Sequence, residues 1–348
     1  MSDDALWSVE RHCVMQTNVV LALYSDYAFR TAVVLYLAVM VLHLAEYAGT
    51  RKLSRVREPQ EAVAVGAGEG GATVTDRPDA ATPREWPARL GRMAVALTIL
   101  GAAVHAASLV LRGLAVVRWP WGNMYEFISA ICLAAVVTWL VMLRRSPGLR
   151  VIGAFVLLPV EILLFLAGSS LYVKAAPVMP ALQSYWLAIH VSTVAISSGL
   201  LMVTGVASIL FLLRKRVSAP GGVPVGRQTG RPTEAGFAGV LALLPTSDAL
   251  DRLAYRITVF AFPLYTFAII AGAIWAESAW GRFWGWDPKE TVALVVWVAY
   301  ACYLHARSTA GWRTGGAAWI NVVGFAAILF NLFFVNLVTA GLHSYAGL

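Results

Sequence analysis

Read for polarity alone, the chain alternates between long apolar runs and shorter polar breaks. Runs long enough to cross a hydrocarbon core, about 17–25 residues each, fall at roughly 29–48, 93–112, 126–143, 150–168, 186–213, 257–276, 291–309 and 317–341. The pattern predicts an all-α, polytopic integral membrane protein of about eight transmembrane helices with short aromatic extracytoplasmic loops. The first run is the least clearly marked, because Asp26 and Arg30 crowd its start. Residues 1–20 do not read as a cleavable signal peptide.

Two breaks are long. "EPQEAVAVGAGEGGATVTDRPDAATPREWP" and "SAPGGVPVGRQTGRPTEAGFAG" are rich in Gly, Ala, Pro and Thr and have no apolar periodicity. They read as linkers without a site of their own. The first separates an N-terminal segment, 1–90, from a membrane domain, 91–348. The second makes a flexible loop at about 214–256 inside that domain.

Composition agrees with the pattern. Hydrophobic residues make up 59% of the chain and charged residues 13%, against about 25% charged in an ordinary globular domain; mean hydropathy is +0.69. The +8 net charge is a matter of topology. Segments 49–92, 144–150, 214–256 and 306–316 hold 20 of the 27 lysines and arginines, and the positive excess marks the cytoplasmic side. Both termini, and the loop between the sixth and seventh runs, are therefore expected outside. Nucleic-acid binding would need a basic patch on a soluble fold, so no nucleic-acid partner is expected. Cys13, Cys132 and Cys302 are too scattered for a disulfide framework or a redox pair.

The sequence "FWGWDPKET", 283–291, has a purely local reading. Asp287 suits an N-cap, Pro288 the first helical position, and Glu290 completes a capping box. None of that requires Trp275, Trp280, Trp284 and Trp286. Interfacial belts explain single tryptophans, but four within twelve residues, broken by Gly281 and Gly285, fit better as apolar walls that a flat ligand can approach closely.

Six histidines follow from the same map. His190 begins the fifth run and His343 follows the eighth, so both face the side of the tryptophans. Two imidazoles converging on an apolar-walled pocket could ligate a haem iron axially; taken singly, each could also be an interfacial hydrogen-bonder. His305 lies about 14 residues into the seventh run, roughly 21 Å of rise, and would belong to a separate inner site. His43 and His105 read as core hydrogen-bonders, His12 as surface, and Glu161 as a midplane carboxylate without an assigned role.

Together, "WGRFWGWDPKETVALVVW", "YLHAR" and "GLHSYA", with "WGNMYEF" and "SYWLAIHVS" upstream, resemble the CcsA/ResC family, named CcsB in many actinobacteria. This is the tryptophan-rich (WWD-domain) haem-handling subunit of the system II cytochrome c synthase. The resemblance runs from about residue 90 onward, and the DPKE continuation is its most specific element. It implies that His190 and His343 ligate an outer haem from opposite faces and that His305 ligates an inner haem. It further implies that Trp280, Trp284, Gly285, Trp286 and Asp287 form the haem platform, with Trp121 and Tyr125 of the upstream motif as further contacts. The implied cofactor is haem b, as ligand and substrate. The implied partners are a ResB-type membrane protein, apocytochrome c and, indirectly, thiol-reducing proteins. No acid or base residue is assigned.

The expected function is c-type cytochrome biogenesis at the plasma membrane. Haem held at the outer face is presented for thioether attachment to CxxCH, which makes the chain a subunit of a haem lyase complex. Two alternatives stand beside it: a haem exporter without ligation activity, and a b-haem electron-transfer subunit. The long loop after the fifth run looks like an insertion, and residues 1–90 match weakly.

Overall fold

The computed structural model describes residues 17–64, 85–177, 184–218, 241, 243–312, 315–339 and 341–342. Eight long helices run through them: α1 Val19–Ala64, α2 Glu85–Ala115, α3 Met124–Arg145, α4 Gly153–Ser170, α5 Tyr185–Ser218, α6 Ser247–Trp280, α7 Pro288–Ser308 and α8 Gly316–Phe330. A 3₁₀ turn, Pro147–Ile152, leads into α4, and a π-helical turn, Asn331–Val335, continues α8. No strand occurs among the described residues. Seven of the helices are long and apolar enough to cross a membrane. The eighth, α7, carries Lys289, Glu290, His305 and Arg307 on an otherwise apolar length. The architecture is that of a polytopic integral membrane protein.

Helix boundaries depart from the apolar runs where charged turns find partners. α6 begins at Ser247, ten residues before its apolar run. Thr246 caps it by accepting from the Ala249 N–H, and Asp251 is held by Arg307 of α7 at 2.5 Å. Residues 214–218 and 247–256 of the expected flexible loop are thus helical.

The bundle is built from paired neighbours. α1 packs along α2, and α5 along α6; α5 also contacts α3 and α8, and so lies at the centre. With no water to compete, interhelical polar links hold these contacts at a cost small side chains can meet. Ser25 donates to the Ser108 carbonyl at 2.8 Å, Thr204 to Asn321 Oδ1 at 3.2 Å, and Trp297 Nε1 to Thr266 Oγ1 at 2.9 Å. Exposed Val34, Leu37, Val41 and Leu44 give α1 an apolar outer face, as a helix in lipid requires.

Candidate functional site

The tryptophan loop is folded by its own caps. Gly281, at φ 70°, ends α6 and returns its N–H to the Glu277 carbonyl; glycine takes that left-handed conformation without a Cβ clash. Asp287 opens α7 and accepts from the Lys289 N–H through Oδ2 at 3.2 Å. Glu290 reaches back, accepting from the Asp287 N–H at 3.1 Å and the Gly285 N–H at 2.8 Å. Two carboxylates therefore satisfy the loop's backbone donors and sit favourably at a helix N-terminus.

Between them Trp286 holds φ 56°, a strained region for a bulky residue. Its ring is turned outward, 68% exposed, and stands perpendicular to Trp284 at 5.9 Å. Phe283 is exposed as well. Trp275 does something different: it is buried, takes the edge of Trp280 at 4.8 Å, and stacks nearly parallel on His190 at 6.4 Å. Gly285 lies beneath the Arg282 guanidinium, which occupies the space a side chain would need.

Asp287 has a second contact that spans the chain. Its Oδ1 accepts from the Leu342 N–H at 2.9 Å, and a Cβ on Gly341 would stand 2.6 Å from the same oxygen. The end of the chain is thus tied to the loop. His343 itself lies outside the described residues, as does His12. Asp287→Ala is expected to destabilise the protein by about 1 kcal/mol through loss of the cap, and Asp287→Asn by less, because Asn caps about as well but has one acceptor oxygen for the two N–H donors. Thermal melting of the two variants in detergent checks this.

His190 rises from α5 against α6. Its Nδ1 lies 2.8 Å from the Ala268 carbonyl. The ring fits because residue 272 is glycine: a Cβ there would come within 2.6 Å of the imidazole. Since a carbonyl only accepts, Nδ1 carries the proton of the neutral ring, and the lone pair stands on Nε2. Two cavities, each of about 90 Å³, flank the imidazole; Trp284, Phe283 and Glu290 line one, Trp121, Asn123 and Trp275 the other.

Lys289 borders both cavities, an inward placement that a local reading of "DPKE" does not reveal. Its ammonium donates to Asn336 Oδ1 and stands 6.0 Å over the Phe127 ring. Asn336 in turn donates to the Asn331 and Leu332 carbonyls, so the cation rests against the π-helical turn of α8.

The upstream loop is organised by Glu126, a residue the sequence reading passed over. Fully buried, it accepts from Arg112 Nε at 2.7 Å, Arg118 Nη1 at 2.8 Å and the Gly122 N–H at 2.7 Å. This cluster sets Trp121 at the edge of the His190 cavity, with its buried Nε1–H lacking a hydrogen-bond acceptor among the described residues. Tyr125 faces the other way. It is buried between Phe29 and Tyr172 beneath Arg112, and borders neither cavity. Tyr172 donates to Asp26 at 2.5 Å; burial and the Asp26 carboxylate push its phenol above the ordinary range.

His305 lies at the far end of α7, 17 residues from Pro288 and thus about 25 Å along the axis. It is exposed, and its imidazole makes no hydrogen bond among the described residues. His105 is held by Ser129 at 2.8 Å and Tyr36 at 3.4 Å, and His43 packs on Trp139. Among the described residues no group of three or more His, Cys, Asp or Glu could hold a metal ion.

The model of the family described as cytochrome C assembly protein matches residues 121–343, from the Trp121 loop through α8. The chain belongs to this family. It acts in cytochrome c maturation, as a multi-pass membrane protein. The cytochrome c biogenesis protein CcsA of Synechococcus sp. (strain CC9902) is 36% identical over 260 residues, covering 70% of this chain and 84% of that one. The CcsA of Gloeobacter violaceus is 35% identical over 315 residues, 77% of this chain and 92% of that one. Among solved structures, the cytochrome c heme lyase CcmF aligns with a TM-score of 0.58 at 16% identity. It covers 94% of this chain, which spans 48% of CcmF. That likeness concerns the fold alone.

Proposed function

We propose that the chain is the haem-handling subunit of a cytochrome c synthase. It holds haem b at the tryptophan loop between His190 and His343 and presents it to the CxxCH segment of apocytochrome c. It works in the plasma membrane with a ResB-type partner, the loop on the extracytoplasmic side, where the positive-inside pattern puts it.

The observation that carries this reading is the His190 ring. A ligating imidazole needs its second nitrogen anchored by an outer acceptor, which fixes tautomer and direction; the Ala268 carbonyl anchors Nδ1 here, so Nε2 is the nitrogen that would ligate iron. The Asp287–Leu342 hydrogen bond supports the pairing, because His343 follows Leu342 by one peptide bond. Trp286 and Phe283 offer exposed apolar faces, and Lys289 and Arg282 are the nearby cations for the propionates. The cavities beside His190 are too small for a whole macrocycle.

In the reaction each thiol of CxxCH adds across a haem vinyl group: a C–S bond forms at one carbon, and the thiol proton goes to the other. No electron is gained or lost. The chain's part is positioning, which raises effective molarity, while the incoming His of CxxCH replaces one of the two imidazoles and releases the product. Cys132 is buried and Cys302 lies on α7, so the thiols are kept reduced by other proteins. His305, exposed on α7 near Val298 and Cys302, is the inner haem ligand, its second ligand coming from the partner.

The test is the complex co-purified with its partner and supplied with apocytochrome c. Wild type is expected to yield covalently attached haem, read by in-gel haem stain, and His343→Ala to yield at least tenfold less. Attachment at the wild-type rate in that variant overturns the reading, and haem that crosses the membrane without any adduct favours export alone. Lys289→Gln should lose haem to apomyoglobin roughly tenfold faster, since a hydrogen bond to a charged group contributes about 1.5–3 kcal/mol.

A further inference from the structure

We propose a second ligand site, remote from the tryptophan loop: a groove between α3 and α6 that holds one anionic phospholipid. Both helices pack on α5, and small residues, Ala130, Ala134 and Thr138 on α3 and Ala195 on α5, stand among the larger apolar side chains that line the gap. What remains between them is a cavity of about 800 Å³ with mostly apolar walls. It opens sideways through exposed Val137, Val141, Ile196 and Phe260, the direction from which a lipid would enter.

Its charged groups are gathered at one rim. Arg145 at the end of α3 and Arg252 and Arg256, one turn apart on α6, border the cavity at the end of the bundle opposite the tryptophan loop. Arg112, Arg118, Arg150 and Arg307 are all paired with carboxylates. The three rim arginines form no ion pair or hydrogen bond among the described residues, and the adjacent Asp251 is already held by Arg307. Three cations at the mouth of an apolar slot call for an amphipathic anion.

Length and chemistry choose among such anions. From Ala130 to Arg145 the groove follows α3 for 15 residues, about 22 Å, enough for an acyl chain reaching past the middle of a core about 30 Å thick. The lining contains no His, Cys or Tyr and offers an iron porphyrin only the Met142 thioether, not a pair of imidazoles. Guanidinium groups bind phosphate bidentately, and basic pockets between helices recognise anionic headgroups. The far end of the groove is closed by Trp121, whose other side borders the His190 cavity. A seated acyl chain therefore buttresses that ring.

The experiment uses the full chain co-purified with its partner, delipidated in mild detergent and titrated with dioleoylphosphatidylglycerol or dioleoylphosphatidylcholine, with adducts read by native mass spectrometry. One phosphatidylglycerol is expected to bind at least tenfold more tightly than phosphatidylcholine, and the combined variant Arg145→Gln, Arg252→Gln, Arg256→Gln should erase the difference without moving the thermal melt. Ala195→Phe, which fills the slot and leaves the rim intact, should abolish the adduct. Equal binding of the two lipids, a triple variant that keeps its preference, haemin displacing the lipid, or a cross-link from Ile196 to a partner helix would each overturn the proposal. None of these outcomes bears on haem ligation at His190.

Discussion

Replacing His190 with alanine is expected to remove most of the haem absorbance from the complex purified with its partner, and millimolar imidazole is expected to restore part of it. The argument rests on the ring's fixed direction. Nδ1 is held at 2.8 Å by the Ala268 carbonyl and one ring face is covered by Trp275, so the imidazole has a single orientation in which to offer Nε2. Removing it leaves a hole beside the loop that free imidazole can enter, which is why rescue distinguishes a lost ligand from a lost fold. Gly272→Ala is the companion variant. Its new methyl would stand 2.6 Å from His190 Cε1 and push the ring off its carbonyl while keeping the ligand itself. Disturbing such an outer contact lowers metal affinity by about 10–100-fold. Weaker haem retention with an unchanged ligation spectrum is the expected signature. A full-strength Soret band in His190→Ala, with no imidazole added, would remove the basis for the outer site.

How far the sequence foretells this arrangement depends on the range of each interaction. The eight helices were legible because crossing a bilayer requires a run of apolar residues, and run length survives without knowledge of any contact. The capping box of Asp287 and Glu290 was legible for a similar reason: it is closed within four residues. Helix ends were less so. α6 extends ten residues upstream of its apolar run because Asp251 meets Arg307, 56 positions away, and no local pattern announces that pair.

The site shows the same division. Trp275, Trp280, Trp284 and Trp286 look equivalent in sequence, yet only some can meet a ligand from outside: Trp275 is buried as the floor under His190, while Trp286 is turned outward by its left-handed backbone. Trp121 and Tyr125 are four residues apart, but the turn at Asn123 sends one to the His190 cavity and the other into the Arg112 cluster. Nothing in the local sequence singles out Lys289, and its inward position follows from α8, where Asn336 receives it. Asp287 carried the largest surprise, because its link to Leu342 joins positions 55 residues apart.

Glu126→Leu is expected to be the most destabilising single change in the molecule. The carboxylate is fully buried and serves two arginines and a backbone N–H at once; without it Arg112, itself 1% exposed, keeps Asp26, at 3.4 Å, as its one carboxylate among the described residues, beside the Val173 carbonyl that accepts from Nη2. Breaking a buried pair while leaving the partner charge in place costs about 3–5 kcal/mol, so the variant should accumulate poorly or melt well below wild type in detergent. The double variant Glu126→Leu, Arg112→Leu separates charge from shape. Replacing both members of a buried pair by apolar groups is far better tolerated than removing one, and the double variant is expected to recover the part of the lost stability that comes from Arg112, with Arg118 still lacking its carboxylate. Equal destabilisation of single and double variants would mean that the loop depends on the shape of Glu126 and its neighbours, not on neutralising Arg112. Because the same carboxylate holds Gly122 and thereby Trp121, the double variant should still retain haem poorly, a deficit in the site that outlasts repair of the fold.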